Sequence, residues 1–561
     1  MKKITLVFSF MSVFLLEAFS TARLQIIHNS ADAAAATVDV YVNGTLFLED
    51  VAFRTATPFA NVPSGVPLTI NITPPNTSLV SSVFTTSVTL INGSTYVAIA
   101  NGIVSTSGYS PATPFNLYVY TAGREAASTT GNTDVLVFHG ATDAPTVDVA
   151  EVEAGAGTIV NNLSYGEFDG YFELATDDYA LQVQDETGAV TVAAYEAPLA
   201  SLGLQNAAAV VLASGFLNPA NNSNGAAFGL YVALPSGGAL VPLPNSTARI
   251  QVIHNSADAA AAEVDVYING ALAVDDFAFR TATAFLDLNS NVANAIAIAP
   301  GNSTDVNNSI ATFTYTLDRN ETYVVVANGI VSASGYSPAT PFNLYVYTPG
   351  REAASTTGNT DVLVFHGATD APTVDVVETL VGAGTIVDDL SYGEFSDYLE
   401  LSTNNYEVQV RDETGNATVA CYQAPLAALN QAGNALVVLA SGFLNPANNS
   451  GGAAFGLFVA LPTGGALVSL PTCVDVSVND ILNLNSLNVY PNPVSERVLT
   501  VSTSENIINT VVYDLAGAEV TTQIHTNANA VVNLPANIST GVYMLQVKTA
   551  NNTFTKRIVV E

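Results

Sequence analysis

Arg23-Leu-Gln-Ile-Ile-His28-Asn-Ser-Ala-Asp32-Ala, running on to Val38-Asp39-Val40-Tyr41-Val42-Asn43-Gly44, is the stretch that decides the fold. Val38, Val40 and Val42 alternate with Asp39 and Tyr41, the period-two pattern of a half-buried strand. Asn43-Gly44 follows at once, and two residues that accept positive φ between alternating runs signal a tight hairpin. Thr45-Leu-Phe-Leu48 then reads as the returning strand. Farther on, Tyr96-Val-Ala-Ile-Ala100 and Phe115 to Tyr120 show the same strand character. Helical periodicity is nearly absent, and short strands with regular turn signals predict β-sandwiches.

The phrase is spelled four times. Its first half recurs at His139 to Asp143, His254 to Asp258 and His366 to Asp370, its second at Val147-Asp148-Val149, Val264-Asp265-Val266 and Val374-Asp375-Val376. The copies lie about 110 residues apart, and they alternate in kind: His-Asn-Ser-Ala-Asp in the first and third, His-Gly-Ala-Thr-Asp in the second and fourth. Residues 102–149 return as 329–376 with two changes, Thr106 to Ala333 and Ala122 to Pro349, so a two-repeat block is itself duplicated. A period of this length predicts separate domains, each with its own core, rather than a solenoid. The glycine-punctuated polar run Thr121 to Thr133 reads as a linker.

Composition narrows the function. Hydrophobic residues make up 49% and charged residues 11%, tryptophan is absent, and the formal net charge is −34. That charge excludes a nucleic-acid partner, which needs clustered Lys and Arg, and docking on an anionic bilayer. Met1-Lys-Lys3, an apolar run from Ile4 to Phe19 and the small residues Ser20-Thr21-Ala22 make a signal peptide. No later run approaches a membrane span, so no transmembrane helix is expected in the mature chain. The two cysteines, Cys421 and Cys473, could pair in an oxidising compartment.

The phrases from Arg23 to Gly44 and from Val135 to Val149, with Leu390 to Val410, resemble the DUF4397 family of secreted bacterial domains, whose opening reads His-x-x-x-Asp-Ala-x-x-Val-Asp-Val-Tyr. Copies one and three depart by two extra residues between the halves, and copies two and four lack the Tyr. The family has no established activity, so the resemblance implies a fold class and an extracellular habit. Past Cys473 the composition shifts. Tyr490-Pro491-Asn492-Pro493, then Asp514 with Gly517, then Gly541 with Tyr543, and finally Lys556-Arg557 resemble the type A C-terminal sorting domain of the type IX secretion system. The resemblance implies that the secretion machinery is a partner and that the tail is read at the outer membrane. It also implies residence outside the cell or on the outer-membrane surface of a Gram-negative, Bacteroidetes-like bacterium. The expected layout is a signal peptide over 1–22, repeats over 23–130, 131–246, 247–357 and 358–472, a linker over 473–486 and the sorting domain over 487–561. The expected fold is all-β, with tandem Ig-like β-sandwiches and a small C-terminal β-sandwich.

Several residue sets invite chemistry. His28, Asp32 and Asp39, with His139, Asp143, Asp148, His254, Asp258, Asp265, His366, Asp370 and Asp375, carry ligand types suited to a metal. The two aspartates are seven residues apart in copies one and three but five in copies two and four, which a shared chelate geometry tolerates poorly. The competing reading has each His capping a strand end, the first Asp forming a turn, and the second Asp facing outward from an alternating strand. A Ser-His-Asp hydrolase built on Ser30 fails within the chain, because Ser30 becomes Ala141 and Ala368. Asp177-Asp178 and Asp275-Asp276 are candidate calcium ligands without an EF-hand spacing. Gly155-Ala-Gly157 and Gly382-Ala-Gly384 would need a following helix to cradle phosphate, and the flanks read as strands. Tyr109, Tyr118 and Tyr120, repeated at Tyr336, Tyr345 and Tyr347, could stack on a glycan or pack among themselves. The reading that follows is a modular, non-enzymatic surface protein without a cofactor, acting in adhesion or envelope structure toward a glycan or protein ligand. The alternatives are a secreted hydrolase and a calcium-dependent spacer.

Overall fold

The first repeat shows how the pattern becomes a sandwich. Its strands are β1 (Thr21–His28), β2 (Thr37–Val42), β3 (Thr45–Ala52), β4 (Thr55–Ala56), β5 (Ala60–Pro63), β6 (Pro67–Thr73), β7 (Phe84–Thr89), β8 (Thr95–Asn101) and β9 (Asn116–Tyr120). The phrase puts β1 in one sheet and β2 in the other. β2 lies between β3 and β6, and β7 completes an antiparallel sheet. β1 takes β4 and β5 on one side and, in parallel, β8 on the other, with β9 beyond. Asn43 and Gly44 both have positive φ at the β2–β3 hairpin, as its two-residue turn requires. The structure is a computed structural model that describes residues 20–473, 487–550 and 552–561. Among these the helical pieces are three-residue 3-10 turns, and no helix is long and apolar enough to cross a membrane.

The second repeat keeps the plan. One sheet centres on Asn132–Phe138, which pairs in parallel with Ala208–Ser214, and the other centres on Val147–Glu151. The third and fourth repeats restate the first and second in the same order. The chain is therefore all-β, built of tandem sandwiches.

The repeats do not have only private cores. Ile27, Val97 and Ile99 of the first repeat form one buried cluster with Leu136, Phe138, Val210 and Leu212 of the second. A matching cluster joins Ile253, Val324 and Val326 to Leu363, Phe365, Val437 and Leu439. Each pair is thus four sheets deep, with the parallel-strand sheets face to face in the middle. Each repeat keeps a core of its own, but the expectation of separate domains fails within a pair because these inner sheets are apolar on both faces, the pattern of strands covered on two sides. The second repeat also lends Gly238–Ala239 to the edge of β4, as the fourth lends Gly465–Ala466 to Thr281–Ala282.

The run 121–133 is pinned rather than free. Arg124 bonds Asp134 at 2.5 Å and Glu173 at 2.9 Å, and Glu125 holds Arg23 through two bonds of 2.7 Å. Between the pairs, Arg319 clamps Glu196 bidentately at 2.7 Å. Thr21 and Ala22, expected in the leader, belong to β1, and Ala22 is buried against the core. Residues 1–19 of the expected leader lie outside the described residues, as does the expected linker beyond Cys473. Both cysteines are disulfide-bonded.

Residues 471–561 form a second unit. Three strands, Asn488–Tyr490, Val498–Ser502 and Asn529–Asn533, face four, Glu519–Ile524, Ile507–Tyr513, Gly541–Thr549 and Thr553–Val560. Leu499, Val501, Val512, Leu545, Val547 and Ile558 fill the space between.

Candidate functional site

Each copy of the phrase makes the same three connections. His28 Nε2 lies 2.6 Å from the Ala35 carbonyl, and the corresponding bonds are His139 to Pro145 at 2.9 Å, His254 to Ala261 at 2.7 Å and His366 to Pro372 at 2.9 Å. A carbonyl only accepts, so Nε2 carries the proton in all four. Burial holds every one of these imidazoles below its ordinary pKa, His254 at about 4. They are neutral side chains tying a strand end to the loop that follows.

The first Asp reaches much farther. Asp32 caps the turn Ala33–Ala35 and accepts the amides of Val104 at 2.8 Å and Ser105 at 2.6 Å. Asp143 accepts Leu217 and Asn218, Asp258 accepts Val331 and Ser332, and Asp370 accepts Leu444 and Asn445, all within 2.8 Å. Burial alone would raise the Asp32 and Asp258 pKa values, but the hydroxyls of Ser105 and Ser332 and the backbone amides outweigh it and hold both low.

The second Asp does not face solvent as an alternating strand predicts. Asp39, Asp148, Asp265 and Asp375 are at most 5% exposed. Each accepts the amide of a residue at positive φ in the neighbouring hairpin strand: Asp50, Asn162, Asp276 and Asp389, at 2.7–3.0 Å. The pairing shifts register at these points, so the carboxylate anchors a β-bulge. This explains why Asn161-Asn162 exchanges with Asp388-Asp389: both types tolerate the left-handed conformation that the bulge demands.

The His and two aspartates of a copy do not converge. Among the described residues they form no cluster of ligand atoms. Asp265, Asp275 and Asp276 do come together within 4.8 Å. Both Asp265 oxygens already accept bonds, from the Asp276 amide and from Ser303. Asp178 spends its carboxylate on the Ser201 hydroxyl and the amides of Ala200 and Ser201. Ser30 is fully buried and donates to the Gly102 carbonyl at 2.6 Å. The Gly155-Ala-Gly157 turn holds a carboxylate rather than phosphate: Glu151 accepts the amides of Glu153, Ala154 and Ala156, and Glu378 does the same in the fourth repeat.

The repeated tyrosines are half-buried and pack across the paired repeats. Tyr118 packs against Phe138 and Tyr165, with ring centroids 5.4 and 5.9 Å apart, and Tyr120 against Phe168 and Tyr171. Tyr345 and Tyr347 repeat these contacts with Phe365, Tyr392, Phe395 and Tyr398. Tyr109 and Tyr336 stack on Phe216 and Phe443 of the partner repeat.

Sequence reasoning missed the residue after each His. Asn29 reaches across to the Ala213 carbonyl at 3.1 Å, and Asn101 to the Gly140 carbonyl at 2.8 Å. A Cβ at Gly140 would collide with Asn29 Nδ2 and lie 2.6 Å from Ala213 O. Asn255 and Gly367 stand in the same relation. The Asn/Gly alternation was the visible signal of this knob and hole. Arg54, also missed, bonds Ser214 and the Ala227 carbonyl and lies 4.0 Å from the Tyr231 ring centroid, and Arg280 does the same in the second pair.

In the terminal unit the first and last motifs meet. Asn492 donates to the Arg557 carbonyl at 3.0 Å and accepts from the Val559 amide at 2.8 Å, while Lys556 bonds the Leu487 carbonyl. Asp514 accepts Ala516 and Ala518 in a turn completed by Gly517 at positive φ, and Tyr543 bonds the Ser539 carbonyl.

These features define a protein of tandem β-sandwiches with a small C-terminal β-sandwich unit. The chain belongs to the family described as Domain of unknown function (DUF4397), whose model matches residues 22–150, 248–377 and 360–447. Residues 488–561 match the secretion system C-terminal sorting domain, which marks the chain for export to the cell surface or beyond. The first two family matches run past an odd repeat into the opening strands of the even one. A comparison with curated proteins finds no match. Among solved structures, PorZ, a surface component of the type IX secretion system of Porphyromonas gingivalis, is 11% identical over 95% of this chain and 99% of its own, at a TM-score of 0.14. A biofilm-associated protein BSP domain is 10% identical over 83% and 95%, at 0.12. Domains 4–9 of the surface layer protein SbsC are 9% identical over 94% and 90%, at 0.11. Scores this low carry no argument.

Proposed function

We propose that this exported chain is a non-enzymatic surface protein, acting in adhesion or envelope structure through two paired-repeat modules delivered by the type IX machinery. One observation carries the reading. In all four copies the signature His and both aspartates are committed to backbone groups of their own repeat, which leaves these side chains tied to structure rather than poised on a substrate. On this reading the phrase is a staple: the His fixes the strand end, the first Asp the distant loop and the second Asp the bulge. The residues of the terminal motifs serve to present the tail to the secretion machinery. Duplicated modules give several weak contacts at once, and linked sites can exceed single-site affinity by ~10²–10⁴.

The test is retention of the exported chain on whole cells and insoluble polysaccharides, with calcium and with chelator, beside the isolated pair 20–246. Retention that drops sharply for the pair supports a multivalent adhesive module. No retention on any surface removes adhesion and leaves an envelope spacer.

A further inference from the structure

We propose that the second repeat binds a small uncharged hydrocarbon group inside its sandwich. A cavity of about 170 Å³ lies between its two sheets, walled by Val149, Val160, Phe172, Leu181 and Val211. Its surface is almost wholly apolar, so an ion or a charged head would enter at a prohibitive desolvation cost. Apolar cavities of about 150 Å³ stay dry and take up benzene-sized molecules.

Two comparisons within the chain argue that the space is a feature of this repeat. The fourth repeat has the same plan, yet its cavity is about 30 Å³ and is lined by the counterparts of only part of that wall. At the positions that line the second repeat's cavity, the fourth repeat differs only in smaller side chains, Leu399 and Val408 in place of Phe172 and Leu181. Its larger cavity therefore does not come from truncated side chains. The edge strand differs as well: Phe168–Ala175 runs eight residues in the second repeat, whereas Leu399–Ser402 runs four in the fourth, where Ser396 inserts its hydroxyl toward the Val364 amide.

The cavity also has a built rim. Leu217 and Val192 line it while 54% and 55% exposed, which places them at its opening. Asp143 holds the Leu217 and Asn218 amides, so the signature aspartate fixes that lip. His139 lines the wall, and its Nδ1 is buried without a hydrogen-bond partner. Glu151 and Asp185 stand in the lining as well, which disfavours an anionic ligand such as a fatty-acid carboxylate. The occupant that fits is neutral: an aromatic ring or a short alkyl chain, bearing at most one hydroxyl.

The experiment titrates the full exported chain with benzene and, separately, with 1-hexanol, following methyl resonances by NMR and the melting temperature. Saturable uptake of one ligand per chain, with a rise in melting temperature, is expected. Leu181→Phe and Val149→Leu fill the cavity and should each weaken uptake at least about tenfold. Val408→Leu, in the fourth repeat, should leave it unchanged. Two fillers keep the test informative if one fails to fold. Absence of saturable uptake of either probe, or uptake that survives both folded fillers, overturns the proposal.

Discussion

Excising the first repeat tests the paired core most directly. In the intact chain Ile27, Val97 and Ile99 are each 0% exposed, and all three lie in the cluster shared with the second repeat. Fully burying such a side chain contributes roughly 1.5–3 kcal/mol, so losing the cover over these three removes about 5–9 kcal/mol. Folded domains are stable by only about 5–15 kcal/mol, so the loss is of the order of the whole margin. The cut also removes the Asn29 bond to Ala213, the Gln25 bond to the Leu234 carbonyl and the Arg54 anchor on Ser214. The expected outcome is that residues 20–122 alone are unfolded or self-associate through the bared sheet. Residues 20–246 should be monomeric and unfold cooperatively. Size-exclusion chromatography with light scattering and urea titration read both. A monomeric single repeat whose unfolding free energy approaches that of the pair would refute the reasoning.

Acid should weaken the fold before its carboxylates titrate. A neutral His254 held at about 4 contributes stability above its unfolded pKa near 6.5 and loses it as pH falls toward 4, up to about 3 kcal/mol. The urea midpoint should therefore drop between pH 7 and pH 4.5, and His254→Gln should flatten that slope; an equal drop in the variant rules this cause out. Gly140→Ala should destabilise the chain by about 1–3 kcal/mol through overpacking against Ala213, while Gly170→Ala, where a Cβ meets nothing within 4 Å, should be silent. Equal melting temperatures for the two variants would contradict the knob-and-hole assignment. The exported protein should begin at or before Thr21, consistent with small residues at Ala18 and Ser20. N-terminal sequencing that finds Arg23 would mean β1 forms without the buried Ala22.

How much was legible can be judged residue by residue. Period-two alternation and the Asn43-Gly44 turn placed β2 and β3, because both signals are local. The turn at Asp32 was also local, since the side chain caps residues just beyond it. Its second task was not legible: Val104 and Ser105 lie more than 70 residues downstream, and nothing near Asp32 names them. Asp39 misled for a related reason. Alternation assigns a face to each strand position, but a bulge in the neighbouring strand can roof the outward face, and only pairing in three dimensions reveals it. The tyrosines held both readings open because a strand-borne aromatic looks the same whether it meets solvent or a second sheet.

The alternation of His-Asn with His-Gly joins the local and the distant observations. Were the repeats independent, the residue after each His would be free to drift alike in all four. Instead the odd copies carry the donor that crosses the interface and the even copies carry the glycine that leaves room for it. An odd repeat cannot replace an even one without two asparagines meeting where one carbonyl waits, and two even repeats would lack the crossing bond. The close copying of residues 102–149 as 329–376 spans this junction, from the last strand of an odd repeat to the opening strands of an even one. That span carries part of the shared core, Tyr118, Tyr120, Leu136 and Phe138, along with the pinned arginine run. Duplication of a single repeat would have bared an apolar sheet, whereas duplication of the pair keeps every inner sheet covered. Within the repeat region, the pair is thus the smallest piece that can be copied without baring an inner sheet.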